Sequence, residues 1–223
     1  MKAIILFSGG LDSTVLLAKA LEEKKQVFLL SFDYGQRHIV ELSSAQKIAS
    51  HYGLTIKTLK LPNDCFRGSS LIGDGEVSRE IKELKVNDIP TTYVPARNTL
   101  FFAFAMGFAE TIDANEIHYG ANKLDYNAYP DCRPEFISAF QKVLDIGSKN
   151  ANLGKPIKLC TPLVHLDKSE IIQLGKKLKA PIELSFSCYS PSQEGLSCEE
   201  CLSCRLRNEG FKNVDQSARA RYL

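Results

Sequence analysis

The chain has 223 residues and carries 28 Lys plus Arg against 26 Asp plus Glu, a formal charge of +2 that supplies little electrostatic basis for holding nucleic acid. Its 44% hydrophobic and 24% charged composition is that of an ordinary globular protein, and no apolar tract is long enough to span a membrane. A soluble, cytoplasmic protein with one main domain and room for a small appendage is expected.

The first apolar run, Ala3 to Phe7, stops at Ser-Gly-Gly with no secretory cleavage pattern behind it, so it reads as a strand. Val27 to Phe32 is a second such run. Between them, Ser13 to Lys24 puts Leu17, Ala20 and Leu21 on one face and Lys19, Glu22 and Glu23 on the other, the pattern of an amphipathic helix. His38 to Ser50 groups Leu42, Ala45 and Ala49 in a second helix, and Thr55 to Leu61 reads as a third strand. This alternation predicts an α/β fold with a Rossmann-like parallel sheet and helices on both faces.

Residues 62–92 contain Gly68-Ser69-Ser70, Gly73-Asp74-Gly75 and Asp88-Ile89-Pro90 and are read as loop, a candidate lid. Ala96 to Thr111 is apolar nearly all round, through Phe101, Phe102, Phe104, Met106 and Phe108, which predicts a buried central helix. Glu116 to Tyr119 reads as a strand, Pro134 to Ile146 as a helix and Ile157 to Cys160 as a strand. Asp167-Lys168-Ser169-Glu170 has capping-box spacing and opens a helix with Ile171, Leu174 and Leu178 on one face, closed by Pro181. The expected division is an α/β domain over 1–180 and an appended element over 181–223.

The hexapeptide Ser8-Gly9-Gly10-Leu11-Asp12-Ser13 falls where the first strand hands over to the first helix, so backbone N–H groups and the helix dipole converge there on an anion. Gly9 and Gly10 leave space for phosphate oxygens, and the hydroxyls of Ser8 and Ser13 can donate to them. Asp12 can hold a Mg2+ that bridges phosphates, or cap the helix. Neither Gly-x4-Gly-Lys-Ser/Thr nor Gly-x-Gly-x-x-Gly follows a strand, which removes the P-loop and dinucleotide readings. The hexapeptide resembles the SGGxDS loop of the N-type (PP-loop) ATP pyrophosphatases. That resemblance implies an ATP site formed by Ser8 through Thr14. It also implies a reaction in which a substrate oxygen attacks the α-phosphorus and pyrophosphate leaves.

Further stretches resemble the 7-cyano-7-deazaguanine synthases of the queuosine pathway over nearly the whole chain. They are Phe32-Asp33-Tyr34-Gly35-Gln36-Arg37-His38, Val94-Pro95-Ala96-Arg97-Asn98, Tyr129-Pro130-Asp131-Cys132-Arg133-Pro134, Pro162 to Glu170, and the terminal cysteines. Tyr126-Asn127-Ala128 departs from that family, in which a Ser-Gly pair is commoner. The resemblance implies a carbon–nitrogen ligase that converts 7-carboxy-7-deazaguanine and ammonia, through adenylated carboxylate and then amide, to the nitrile. It also implies Mg2+ entering with ATP, small-molecule substrates without nucleic acid or membrane, and a homodimer.

Read singly, Arg97 suits pairing with a carboxylate or phosphate, and Asn98 beside it can reach the same pocket. Asp131 can accept N–H bonds from a guanine-like edge, and Arg133 can make two bonds to a substrate carboxylate. Tyr34, Gln36 and Arg37 follow the second strand at the edge where open α/β sheets bind nucleotides. His38 alone carries no acid–base assignment. Lys168 resembles the basic residue that many PP-loop enzymes carry late in the chain near the phosphates. Ser8, Asp12, Ser13 and Lys168 are therefore the candidate catalytic residues.

Cys65, Cys132 and Cys160 are scattered, whereas Cys188, Cys198, Cys201 and Cys204 cluster. Four thiolates suffice for a closed, structural zinc site with Zn–S bonds of about 2.3 Å. The C-x2-C-x2-C spacing also suits an iron–sulfur cluster. The family resemblance favours one structural zinc per chain. Two other readings stay open: a PP-loop tRNA sulfurtransferase using Cys132, and a zinc-knuckle nucleic-acid-binding module with a degenerate ATPase domain.

Overall fold

The structure, a computed structural model, describes residues 1–36, 39–66, 68–72 and 89–214, without the side chains of Ile39, Asn63, Cys65, Tyr126 and Asn127. Arg37, His38 and residues 73–88 of the candidate lid lie outside the described residues.

Five parallel strands form one sheet in the order β3-β2-β1-β4-β5. They are β1 (Lys2–Leu6), β2 (Gln26–Asp33), β3 (Ile56–Lys60), β4 (Glu116–His118) and β5 (Lys158–Cys160). β1 is central: Ile4 pairs with Phe28 on one side and Ile117 on the other. Ala3, Ile4 and Ile5 are completely buried, and burying each isoleucine side chain contributes roughly 1.5–3 kcal/mol. A strand covered on both faces needs an unbroken apolar run, which is why the pattern here does not alternate.

Helices cover both faces. On one, α1 (Leu11–Glu22), α2 (Ile39–His51), α7 (Lys168–Lys177) and α8 (Leu202–Val214) pack through Val15, Leu16, Ala45, Ile48, Ile171 and Phe211. On the other, α3 (Arg97–Ile112) and α5 (Pro134–Gly147) pack through Phe102, Ala105, Phe140 and Leu144. Two short helices, α4 (Lys123–Ala128) and α6 (Lys149–Asn152), complete the elements the site depends on. No helix among the described residues is long and apolar enough to cross a membrane.

Strand order reverses between β1 and β4, so the loops leaving these two strands diverge and open a crevice beyond their carboxyl ends, the standard place for a ligand in an open α/β sheet. The expected burial of α3 needs correction. Its sheet-facing side is buried, but Leu100 is 36% and Phe104 43% exposed, because the sheet and α5 cover only part of the helix.

Candidate active site

A cavity of about 260 Å³ opens at that crevice, lined by the β1–α1 loop, the ends of β2 and β4, the starts of α2, α3 and α7, and residues 187–189. Ser8, Gly10, Leu11, Asp12 and Ser13 line it, with Tyr34, Gln36, Arg97, Asn98 and Lys168.

Gly10, the N-cap of α1, offers no side chain to cap the helix; Ser187 Oγ accepts from Leu11 N, and among the described residues no side chain accepts from the Asp12 and Ser13 N–H groups, which leaves that part of the helix's positive end to the cavity. In this state the loop hydroxyls bond within the loop: Ser13 Oγ and Thr14 Oγ1 donate to the Gly10 carbonyl at 3.0 and 2.8 Å, and Ser8 Oγ lies 3.2 Å from Ser13 Oγ. Gly9 is required for a reason the sequence did not disclose. Its φ is +82°, and a Cβ there would stand 2.5 Å from the Ala45 nitrogen and 2.8 Å from the Glu41 carbonyl oxygen, so α2 can approach only a glycine.

Residues beyond α7 support the same loop. Phe186 N donates to the Gly9 carbonyl at 3.0 Å, Leu11 N donates to Ser187 Oγ at 3.3 Å, and Ser44 Oγ bridges Gly9 to the Leu184 carbonyl.

Asp12 projects from the first turn of α1 and is met by Lys168, the first residue of α7, whose Nζ lies 2.8 and 2.6 Å from its two carboxylate oxygens. Asn122 Nδ2 donates to Asp12 Oδ2 at 3.1 Å, and the Asn122 backbone N–H donates to Asp125 at 3.1 Å within a capping box that starts α4. Asp125 also lines the cavity. Burial pushes its carboxyl up to about 6, with Lys168 pulling down and Asp12 pushing up. The Asn122-x-x-Asp125 capping-box spacing is the sequence signal that could have marked this turn, and the motifs above did not include it.

Ala96 adopts the left-handed conformation, φ 53° and ψ 18°, which costs a non-glycine residue about 1–3 kcal/mol and turns the chain so that α3 begins at the cavity. Arg97 Nη1 donates to Tyr34 Oη at 3.5 Å, and its guanidinium lies within 6 Å of the Tyr34 and Phe101 rings. Asn98 and Asp131 are locked together: Asn98 N donates to Asp131 Oδ2 at 3.1 Å, and Asn98 Nδ2 donates to the Asp131 carbonyl at 3.2 Å and to Cys132 Sγ at 3.3 Å. Asp131 is 6% exposed and Arg133 is exposed, and neither is among the residues lining the cavity. In this geometry Asp131 caps α3 and holds Arg97 in register. Gln36 is fixed by Tyr34 N and by the Phe32 carbonyl at 2.9 and 3.1 Å.

Glu41, on the first turn of α2, is a lining residue that the motifs did not single out. Among the described residues no donor is bonded to its carboxylate, and burial pushes its carboxyl up to about 7 against the opposing charge of Arg97.

The four sulfurs of Cys188, Cys198, Cys201 and Cys204 lie within 4.8 Å of one another. Cys188 and Cys198 Sγ are 3.5 Å apart, and Cys201 and Cys204 Sγ 3.4 Å. Tetrahedral bonds of about 2.3 Å to one ion put sulfurs about 3.8 Å apart, so the cluster fits a single metal ion after small adjustments. Backbone N–H groups of Tyr189, Ser190, Cys198 and Cys201 point at the sulfurs at 3.3–3.4 Å, an arrangement that favours thiolates. Hydrogen bonds from Cys188 and Cys204 hold the Cys201 thiol far below its ordinary range. Glu116, His118 and Cys160 form a second close group, but there the Lys25 ammonium already bonds the Glu116 carboxylate.

The family model described as "Queuosine biosynthesis protein QueC" matches residues 2–215. The 7-cyano-7-deazaguanine synthase of Solidesulfovibrio magneticus is 46% identical over 99% of this chain and 95% of its own. That of Leptospira interrogans is 45% identical over 97% of this chain and 88% of its own, and that of Picrophilus torridus 46% identical over 94% and 87%. Among solved structures, NMN synthetase from Francisella tularensis superposes with a TM-score of 0.51 at 17% identity, covering 98% of this chain and 78% of that one, a likeness of fold alone. With a family match over residues 2–215 and relatives 45–46% identical over nearly its whole length, the chain belongs to the QueC family of queuosine biosynthesis proteins.

Proposed function

We propose that the chain is a 7-cyano-7-deazaguanine synthase, an ATP-dependent ligase acting on 7-carboxy-7-deazaguanine and ammonia. The observation that carries the reading is the glycine-led N-terminus of α1 with the Asp12–Lys168 pair beside it in one cavity. An anion seated there meets converging N–H groups and the Lys168 ammonium, which stabilise the pyrophosphate as it leaves. The substrate carboxylate oxygen attacks the α-phosphorus, ammonia displaces AMP, and the amide oxygen repeats the attack before the nitrile forms. The Ser8, Ser13 and Thr14 hydroxyls would meet the phosphates, Asp12 would hold the Mg2+ that enters with ATP, and Tyr34, Gln36, Arg37, Arg97 and Asn98 would position the substrate. Asp131 acts by holding the start of α3 through Asn98, and Arg133 stays proposed as a partner of the substrate carboxylate.

Zinc is the metal proposed for the four cysteines, since an iron–sulfur cubane spreads its ligands over a cluster while these sulfurs crowd a single point. The sulfur-transfer alternative requires a reactive thiol or an iron–sulfur cluster; Cys132 is 2% exposed with burial pushing it up to about 12, which disfavours the thiol route. The nucleic-acid-binding alternative has only a formal charge of +2 behind it. The protein is proposed to be cytoplasmic and homodimeric, its subunits meeting through the exposed apolar residues Leu100 and Phe104 of α3 and Val143 and Ile146 of α5.

The test is to incubate the protein with ATP, ammonium and the carboxylic acid and to identify every product. Amide and nitrile with AMP and pyrophosphate are expected. Finding neither nitrogenous product, or finding ADP, overturns the proposal.

A further inference from the structure

We infer that Glu41 is the residue that reads the pyrimidine-side edge of the substrate, its carboxylate accepting two N–H bonds from the ring N–H and the exocyclic 2-amino group. The inference rests on the substrate class proposed above.

Glu41 lines the cavity from the first turn of α2, and among the described residues its carboxylate has no hydrogen-bond or ion-pair partner. Glu41 is half-buried, and partial desolvation without donors disfavours its charged form, which lifts its carboxyl to about 7. Folding tolerates such a group where a ligand will bring the donors. Phe32, Tyr34 and Phe101 line the same cavity, Phe32 and Phe101 stacked on each other at 3.9 Å with 6° between their planes and Tyr34 edge-on to Phe101, so aromatic surface is available there. Such walls suit a planar bicyclic ring.

Three ligands of the reaction offer N–H groups. Ammonium is disfavoured because Arg97, whose charge acts on Glu41, is permanently positive and repels a second cation. The adenine edge presents one donor beside an acceptor nitrogen, a poor match for an ionised carboxylate. The guanine-like edge presents two adjacent donors and no acceptor between them, which a carboxylate meets in a bidentate fashion. Asp131, the other carboxylate considered for this edge, is already engaged by Asn98 N.

The test compares the unaltered protein with Glu41→Gln, measuring KM for each of the three substrates and repeating the measurement with the acid lacking its 2-amino group. Expected is a rise of roughly tenfold to hundredfold in KM for the acid, with KM for ATP and ammonium and the kcat at saturation unchanged. The unaltered protein should prefer the 2-amino acid, and the variant should not. Glu41→Asp, which keeps the charge but withdraws the oxygens, should show the same selective loss and serves if the first variant misfolds. A rise confined to KM for ATP or for ammonium, or a preference for the 2-amino group surviving in both variants, overturns the inference while leaving the reaction intact. An unaltered protein that forms no product overturns both.

Discussion

Lys168 and Asp12, 156 residues apart in sequence, are joined by two bonds of 2.8 and 2.6 Å across the cavity mouth, with side chains 17% and 22% exposed. The pair sits where helices α1 and α7 both begin, so two positive helix ends and one ammonium surround a single carboxylate. Replacing Lys168 by Gln is expected to lower kcat about 100-fold or more, the usual scale for losing one donor to developing charge, with the fold retained. Asp12→Asn combined with Lys168→Gln should lose little beyond the worse single variant, because the two act as a unit. Steady-state kinetics with circular dichroism on the three variants decides this, and additive losses would refute the coupling.

That pair illustrates what a sequence discloses and what it withholds. The hexapeptide 8–13 was legible because its chemistry is local: glycines, hydroxyls and a helix start in six consecutive positions. β1, β2, α1 and α7 were legible because strand runs and helical stripes are periodic. Glu41 and Asp125 were not, since what distinguishes them is burial created by distant elements. α4 escaped because it has six residues and rests on one capping box, and α8 because its polar sequence gains its partners only when Gly210 lets it close on α7 at Ile172 and Lys168. The apolar character of α3 was read correctly, but which part faces outward depends on the width of the sheet beside it.

The Glu41 carboxylate, without a bonded partner among the described residues, also affects stability. Its carboxyl is raised from 4.5 to about 7, so between these values the folded state binds more protons than the unfolded one. Its contribution is therefore fully present below about pH 4.5 and is lost as pH rises through about 7. Glu41→Gln should melt higher than the unaltered protein at pH 8 and no higher at pH 4.5. Thermal melts across this range measure it, and a gain that does not grow with pH would contradict the burial argument. A more stable variant with poorer substrate binding is the usual trade at a functional site.

Cys132 is a separate case, a thiol bonded by Asn98 Nδ2 and 3.2 Å from Tyr119 Oη. Held protonated by burial, it is expected to serve packing and not nucleophilic attack. Cys132→Ala should keep kcat within about tenfold while losing roughly 1–3 kcal/mol of stability from the freed partners. Loss of all turnover in a variant that remains folded would restore a sulfur-transfer reading.

The apolar residues left outside on α3 and α5 bear on assembly. Phe104 is 43%, Val143 45% and Ile146 82% exposed, on two helices packed over the same sheet face. If these side chains form one contiguous patch, it is the kind of surface that a second copy of the chain would cover. Light scattering should give twice the mass of the 24.8 kDa chain, and the pair of substitutions Phe104→Glu and Ile146→Glu should convert it to monomer. A dimer unaffected by both would place the interface elsewhere.

Metal at the four cysteines should be felt at the proposed ATP loop, because the chain from Leu184 to Tyr189 serves both. Cys188 is a candidate ligand and lines the cavity, while two residues earlier Phe186 N bonds the Gly9 carbonyl and one residue earlier Ser187 receives Leu11 N. Past the cysteines, α8 packs against α7 through Gly210, where a Cβ would stand 3.3 Å from the Lys168 backbone. An ion fixing four sulfurs therefore holds the backing of the loop and the helix that presents Lys168. Elemental analysis should find one zinc per chain, and brown protein containing iron would refute that assignment. Chelation, or Cys201→Ser, should lower the melting temperature and raise KM for ATP well before the α/β core unfolds. Gly210→Ala, which crowds Ile172 Cδ1 at 2.8 Å without touching any cysteine, should raise KM for ATP while keeping the metal. If instead zinc is removed and the ATP site is unchanged, the 184–189 segment holds its position through Arg207, which bonds Ser185 Oγ and the Ile182 carbonyl, and Arg207→Met then becomes the variant that loosens the loop.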